Sequence, residues 1–418
     1  MLDASSIEGS AANPLREPAI HDLDMWQEAV PYERFARLRC EDPVAWQATH
    51  DGDGKSGFWS VTKHADVVEV SKDPATFSAW QWGNLIDNPP EDQLPMRRSM
   101  LLNMDPPEHN LYRRLVLDSF TPRMVAGLES RIRDRARSVI ETALDKGEVD
   151  FVRDLTTILP VNVMCELMGV PEADRAQIAD WNAQLIGFDD PELGNTPEDA
   201  LGAGAGLFTY GMELAKERVG GTGTDLVTIL SNATLDGGAI DEVQFHGLFV
   251  QMIVAGSETT QTLLTGGMNA LFEHSEQLRR LRDNPALIPG AVEEMLRWVT
   301  PIHHFRRTAT RDTELGGARI AKGDAVVMWY VSANRDEDAF ADPEVFDITR
   351  SDADRQLAFG HGTHFCLGAH LGRLEAKIFF EELFSLCAEF EQTGPPRRLR
   401  SNLINGIKEL PVRLGAAR

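Results

Sequence analysis

The chain has 418 residues, 41 lysines and arginines against 65 aspartates and glutamates, and a formal net charge of −24. That balance argues against nucleic acid, whose phosphates demand a basic face, and against an anionic membrane surface. A hydrophobic share of 42% and a charged share of 25% are those of an ordinary globular chain. The most apolar stretch, residues 247–256, is too short for membrane insertion. Residues 1–14 lack a basic start and an apolar run, so a cytoplasmic protein is expected. No linker, charge block or repeat divides the chain, and one domain over 1–418 is expected, with about 1–20 a poorly structured extension.

In chain order, residues 32–40 read as a helix, 57–61 as a strand and 65–71 as a helix. Residues 78–97 hold aromatics and prolines without a period and are expected to form a long loop. Asp105 is expected to cap a helix over 104–114, with Pro106 and Pro107 in its first turn. Helical periodicity then runs over 122–282, broken near Pro160, Pro171, Pro191 and 220–223, and includes a long helix over 242–275. A helix over 289–298 and a strand over 325–330 follow. Asn405-Gly406, between Leu403-Ile404 and Ile407, signals a hairpin. Helices with small sheets at the edges give a mainly α fold with a minor β part.

The four cysteines are Cys40, Cys165, Cys366 and Cys387, with no Cys-x-x-Cys pair. Cys40, Cys165 and Cys387 lie among helix formers and read as small buried hydrophobes. Cys366 lies in the segment 359–370, F-G-H-G-T-H-F-C-L-G-A-H. His361, His364, Cys366 and His370 together are the donor types of a zinc site. Against zinc, a helix over 367–386 would carry His370 a full turn from the thiol, and 361–364 lacks paired-ligand spacing. A heme loop is the second reading. Gly360 and Gly362 allow backbone angles that a side chain forbids. Cys366 precedes a helix, whose free N–H groups and dipole favour a thiolate. Gly368 leaves room for a flat porphyrin, and Phe359 shields the sulfur.

Phe359-Gly360-x-Gly362-x-His364-x-Cys366-x-Gly368 resembles the heme-binding signature of the cytochrome P450 family. The resemblance implies heme b ligated by Cys366, sandwiched between a long distal helix and the helix that follows the cysteine loop. Other segments occur in the family's order. Glu294 and Arg297, with Arg350 further on, resemble a buried structural triad; burying a charge requires such partners. His109 and Arg113 stand at i and i+4, a spacing that a solvated face also shows. With Arg307 and His364 they match the family's ligands of the heme propionates.

Ala255-Gly256-Ser257-Glu258-Thr259-Thr260 reads either as a small-residue packing patch or as an oxygen-binding stretch. In the second reading Ala255 and Gly256 leave room for dioxygen. Thr259 could bond back to a carbonyl and loosen the helix. The resemblance implies Glu258 as the acid and Thr259 as the alcohol of a proton-delivering pair.

The implied function is a heme-thiolate monooxygenase. It would hydroxylate an unactivated C–H bond of a lipophilic small molecule with O2. Electrons would come from a separate ferredoxin and ferredoxin reductase, because no flavin or iron–sulfur motif is present and the glycines at 202–206 lack dinucleotide spacing. Arg114, Arg123 and Arg373 are the expected docking cations. A peroxide-using peroxygenase and a non-enzymatic heme sensor or carrier are the alternatives.

The expected substrate walls are Trp80, Trp82, Leu85 and Ile86, then Gln251, Val254 and Ala255, then Val299, Ile302 and Phe305, and finally Leu403 and Ile404. They are mostly apolar. Segments 298–310 and 398–408 resemble bacterial members that hydroxylate sterol side chains or branched lipids, and others that oxidise terpenes. Gln251 shares a helical face with Ala255 and Glu258. It either satisfies a neighbouring helix or bonds an oxygen of the substrate.

Overall fold

Helical periodicity over 122–282 becomes a stack of helices in the computed structural model, which describes residues 19–49, 56–187, 189–194, 196–235 and 238–416. Most of the expected N-terminal extension lies outside the described residues. The principal helices of that stretch are Glu129–Lys146, Ile158–Met168, Arg175–Gly187, Pro197–Arg218 and Glu242–Glu273. Pro171 and Pro191 fall at short 3-10 turns between helices. Pro160 instead sits in the first turn of Ile158–Met168, where its missing N–H would have had no intrahelical partner.

Glu242–Glu273 is the axis of the molecule. Its start is fixed by a reciprocal cap: Asp241 accepts from Gln244 N at 2.7 Å and Gln244 accepts from Asp241 N at 3.2 Å. Residues on nearly every side of it are buried, because it packs against Ile158–Met168, Ile288–Val299 and the later helix Ala369–Leu386. Close approach requires small residues at the crossings. A Cβ on Gly256 would lie 2.4 Å from Met164 Sδ, and one on Gly266 2.7 Å from Val299 Cγ1.

The main sheet has five strands in the order Val44–Ala48, Gly57–Val61, Ala325–Trp329, His304–Ala309 and Phe77–Ser78. The His304–Ala309 strand carries Phe305 and Arg307 on one face and His304 and Arg306 on the other, by the two-residue period of a strand. Only the first pair reaches the cavity described below.

Several local expectations change. Residues 78–97 are not a bare loop: they contain the 3-10 turn Glu91–Gln93 and the start of the helix Leu94–Arg98. The next helix begins at Glu108 and runs to Leu117, without a side-chain cap. Asp105 does not cap it; its carboxylate accepts from Ser78 Oγ and, at 2.8 Å, from Ala79 N. The hairpin at Asn405-Gly406 is also absent. Strand Ile407–Glu409 pairs with Arg397–Arg398, and Ile404 bridges to Ile302. Asn405 is occupied by Arg398, 2.8 Å from its Oδ1, and by the Val299 carbonyl. Cys40 is exposed, whereas Cys165 and Cys387 are buried, their thiols pushed up to about 12 by burial.

The acid and the two arginines singled out in sequence meet in the core. Glu294 and Arg297 are both 0% exposed and joined by two bonds, 2.7 and 2.8 Å. Arg350 Nε lies 3.2 Å from the same carboxylate. Arg297 also donates to the carbonyls of Asn334, Pro343 and Val345. Every charge in this cluster is answered, as buried charge requires.

Candidate active site

The cysteine loop is held by its glycines. Gly360 and Gly362 both have φ of +67°, a left-handed conformation that L side chains rarely adopt. At Gly362 a Cβ would also lie 2.3 Å from Ser71 O. The turn lets Cys366 N donate to Phe359 O at 2.9 Å, and the Phe359 ring lies under the Arg373 guanidinium at 4.5 Å. Burial pushes the Cys366 thiol up, opposed by a Gly368 N–H and by Arg113 and Arg373. The first helical residue is Ala369, three residues on.

The zinc reading fails on geometry. Among the described residues no group of three or more His, Cys, Asp and Glu side chains converges to hold a metal. His370 is exposed, and His364 turns away to pack on His109, ring centroids 4.4 Å apart.

His109, Arg113, Arg307 and His364 line one cavity with Cys366 and Gly368. His109 is 1% exposed and Arg307 4%. Among the described residues their side-chain hydrogen-bond partners are neutral: Arg113 donates to Phe365 O at 2.8 Å, Arg307 to Arg306 O at 2.7 Å, and His109 Nδ1 lies 3.3 Å from Asn110 Oδ1. His364 Nε2 is buried with no partner. Burial, then Arg307, His109 and Arg113, hold that imidazole down to about 2. Among the described residues no carboxylate forms an ion pair with these four. A Cβ on Gly368 would meet nothing within 4 Å except Cys366 Sγ at 4.0 Å, so a flat open cradle lies beside the thiol. Unanswered cations at the rim, an open floor and one thiol fit a flat dianionic macrocycle such as heme b.

Across the cavity from the thiol stands Glu242–Glu273, so the space lies between this helix and the helix after the cysteine loop. Ala255 is open to it and Thr259 half-open. Thr259 Oγ1 donates to Ala255 O at 2.8 Å, as expected, yet the helix runs on without a break. Gly256 lines the cavity too, and its missing side chain also makes room for Met164. Glu258 is 7% exposed, and burial alone pushes its carboxyl up to about 7.

Of the expected substrate walls, Gln251, Ala255, Ile302 and Phe305 line the cavity. Trp80, Trp82, Leu85, Ile86, Val254, Val299, Leu403 and Ile404 are not among its walls. Trp80 lies under Arg98, 5.1 Å from ring centroid to guanidinium, and Ile86 joins a separate core with Trp26 and Trp329. Val299 packs against Gly266, and Leu403 and Ile404 are tied by backbone to His303 and Ile302. Nearness of a segment to the site did not say which way its side chains face. The walls missed by sequence reading include Leu101, Leu102, Phe120, Leu263 and Leu296.

Glu375 was missed as well. It lines the cavity, is 0% exposed, and both carboxylate oxygens are buried without a partner. Burial holds it well above the usual carboxylate range. Its signal was available: Gly368, Leu371, Gly372 and Glu375 recur at i, i+3, i+4 and i+7, one helical face.

Comparison with known proteins agrees with this geometry. A model of the family described as Cytochrome P450 matches residues 221–410. The steroid C26-monooxygenase of Rhodococcus jostii is 39% identical over 398 residues, 94% of this chain and 83% of that one. The linalool 8-monooxygenase of Pseudomonas putida is 36% identical, covering 95% and 99%. The methyl-branched lipid omega-hydroxylase of Mycobacterium tuberculosis is 37% identical, covering 96% and 95%. Among solved structures, a Mycobacterium marinum cytochrome P450 in complex with pseudoionone superposes with a TM-score of 0.89 at 35% identity, over 97% of this chain and 100% of that one. This chain belongs to the cytochrome P450 family and is a heme b-dependent monooxygenase.

Proposed function

We propose that this monooxygenase hydroxylates an unactivated C–H bond of a sterol, a terpenoid or a branched lipid in the cytoplasm, with electrons from a separate ferredoxin and its reductase. The observation that carries the substrate class is the apolar wall of Leu101, Leu102, Leu263, Leu296, Ile302 and Phe305 facing the thiol loop. Relatives named for steroid, linalool and methyl-branched lipid oxidation support it. The reducing intracellular setting is supported by four free cysteines. Among the described residues no helix is long and apolar enough to cross a membrane.

When bound, the heme activates dioxygen and supplies the oxygen atom that enters the C–H bond. The chain's side chains hold and serve it. Cys366 ligates the iron through its sulfur, and His109, Arg113, Arg307 and His364 pair with the propionates. Thr259 spends its hydroxyl hydrogen on the Ala255 carbonyl, so its oxygen accepts a hydrogen bond from the cavity. Glu258, held near neutrality, gives up a proton at its carboxyl and regains one from solvent. That relay favours the dioxygen reaction over a peroxygenase, which has no need of it, and over a carrier.

Phe365 is 41% exposed beside the thiol, and Arg114 and Arg123 are exposed. They form the proposed ferredoxin face. Arg373 is withdrawn from that role, because Glu293 pairs with its guanidinium through two bonds, from Nε at 2.6 Å and from Nη2 at 3.0 Å. The test is a screen of sterols, terpenes and branched fatty acids for ligand-induced spin-state shifts, followed by product analysis with ferredoxin and reductase. Hydroxylated product that requires O2 and the electron donor supports the reading. Product with hydrogen peroxide alone, or none with any ligand, overturns it.

A further inference from the structure

Gln251 interrupts an otherwise apolar stretch of the cavity wall. It lies one helical turn before Ala255 on Glu242–Glu273 and lines the cavity beside Leu101, Leu102 and Met252. Its Oε1 accepts from the backbone N–H of Leu102 at 3.1 Å. Only the oxygen end of an amide can receive an N–H, so this contact fixes which way round the group lies.

The donor of that contact is itself held. Leu102 is the middle residue of the 3-10 turn Leu101–Asn103. Asn103 N is bonded to Met100 O at 2.9 Å, and Asn103 Nδ2 to Arg97 O at 2.8 Å. The acceptor end of Gln251 is thus consumed by the fold. Its Nε2, with two N–H donors, has no protein partner among the described residues. It is also absent from the sealed, unpartnered polar atoms of the interior, and Gln251 is half-buried. An amide anchored at its oxygen and open at its nitrogen is a fixed donor in the cavity wall.

We infer that Gln251 selects substrates carrying a hydrogen-bond acceptor oxygen and sets the hydroxylation position relative to it. The matching chemical class is a lipophilic ketone or another acceptor-bearing aliphatic molecule. Four helical residues at 1.5 Å each set the Gln251 backbone about 6 Å along the helix axis from that of Ala255, the open wall above the thiol loop. The acceptor oxygen is therefore held at the Gln251 end of the cavity, apart from the carbon presented beside Ala255. The inference rests on the hydroxylase reading and deepens it.

The test uses heme-loaded protein and two ligands: hexahydropseudoionone, a branched aliphatic ketone, and the hydrocarbon with the same carbon skeleton. Dissociation constants come from spin-state titration and positions of hydroxylation from product analysis. One neutral hydrogen bond predicts ketone binding about fivefold to tenfold tighter than hydrocarbon in the wild type. Q251L removes the donor and the anchor. Q251E keeps an oxygen for Leu102 N–H but removes the donor. Both variants are expected to lose the ketone preference and scatter the product positions, while hydrocarbon binding to Q251L stays within about twofold. Ketone preference that survives in Q251E, or equal binding of both ligands in the wild type, overturns the inference and leaves the hydroxylase reading standing. No spin shift or product with either ligand in the wild type overturns both.

Discussion

Two regions of the interior bury charge in opposite ways. Around Glu294, one carboxylate meets Arg297 and Arg350, and the remaining guanidinium hydrogens meet carbonyls. In the cavity, buried Arg307 and His109 and half-buried His364 form no ion pair with a carboxylate among the described residues, and the carboxyls of Glu375 on its wall and of Glu258 on the helix above it are buried without a cation. The first region has solved its electrostatics within the fold. The second has left them open, and a fold tolerates that cost where something else is to bind or react. Buried charge alone therefore does not mark a site; unanswered buried charge does.

The largest effect should come from breaking the satisfied region. Glu294→Gln leaves two buried guanidinium groups without a full charge partner, at a cost of about 3–5 kcal/mol. Thermal and denaturant unfolding of the heme-loaded protein measure it; a loss under about 1 kcal/mol would erase the contrast between the regions. Next comes the lone acid. Glu258→Gln should slow product formation on the order of a hundredfold. As the wild-type donor group sits at about 7, turnover should fall as pH rises through neutrality, and the glutamine variant should lack that inflection.

Arg307→Leu separates the regions by sign. Removing an unanswered cation should leave the heme-free chain as stable as before or more so. Heme should nevertheless be lost on the order of tenfold faster to a heme-free acceptor protein, as the loss of a charge-assisted bond implies. Destabilisation of the heme-free chain would place Arg307 with the satisfied cluster instead.

The smallest prediction concerns a third solution, basic groups buried neutral. His303 and His304 are 0% and 1% exposed beside Trp26 and Trp329, and burial holds His304 down to about 3 and His303 well below its usual range. Unfolded, each takes a proton near pH 6.5. Below that pH the unfolded state binds more protons, so stability falls with falling pH, by up to about 1.4 kcal/mol per unit for each histidine. Unfolding free energies between pH 7 and 5 should show a shallower slope for His304→Phe; an unchanged slope would put the acid sensitivity elsewhere.

Much of this was legible in one dimension. The loop from Phe359 to Gly368, the Glu258-Thr259 pair and the i, i+3 spacing of Glu294 and Arg297 are local patterns. Local chemistry dictates them: positive φ at Gly360 and Gly362, one helical face, one turn of rise. What failed depended on direction and partner. Asp105 serves Ser78 and Ala79, 27 and 26 residues earlier, instead of capping its own helix. Trp80 and Val299 sit on the expected segments, but Trp80 packs on the main core under Arg98 and Val299 packs on Gly266.

The family signature, the helical order and the identity of the groups that can ligate, pair and carry protons follow from the sequence alone, because each is set within a few residues. Which of those groups stay unanswered is set by packing between distant segments. Whether Arg307 meets a carboxylate, whether Glu375 finds a donor, and which end of Gln251 the backbone of Leu102 consumes depend on contacts between distant segments. A lone residue type carries no record of its partner, and in this molecule the missing partner is what separates the cavity from the scaffold.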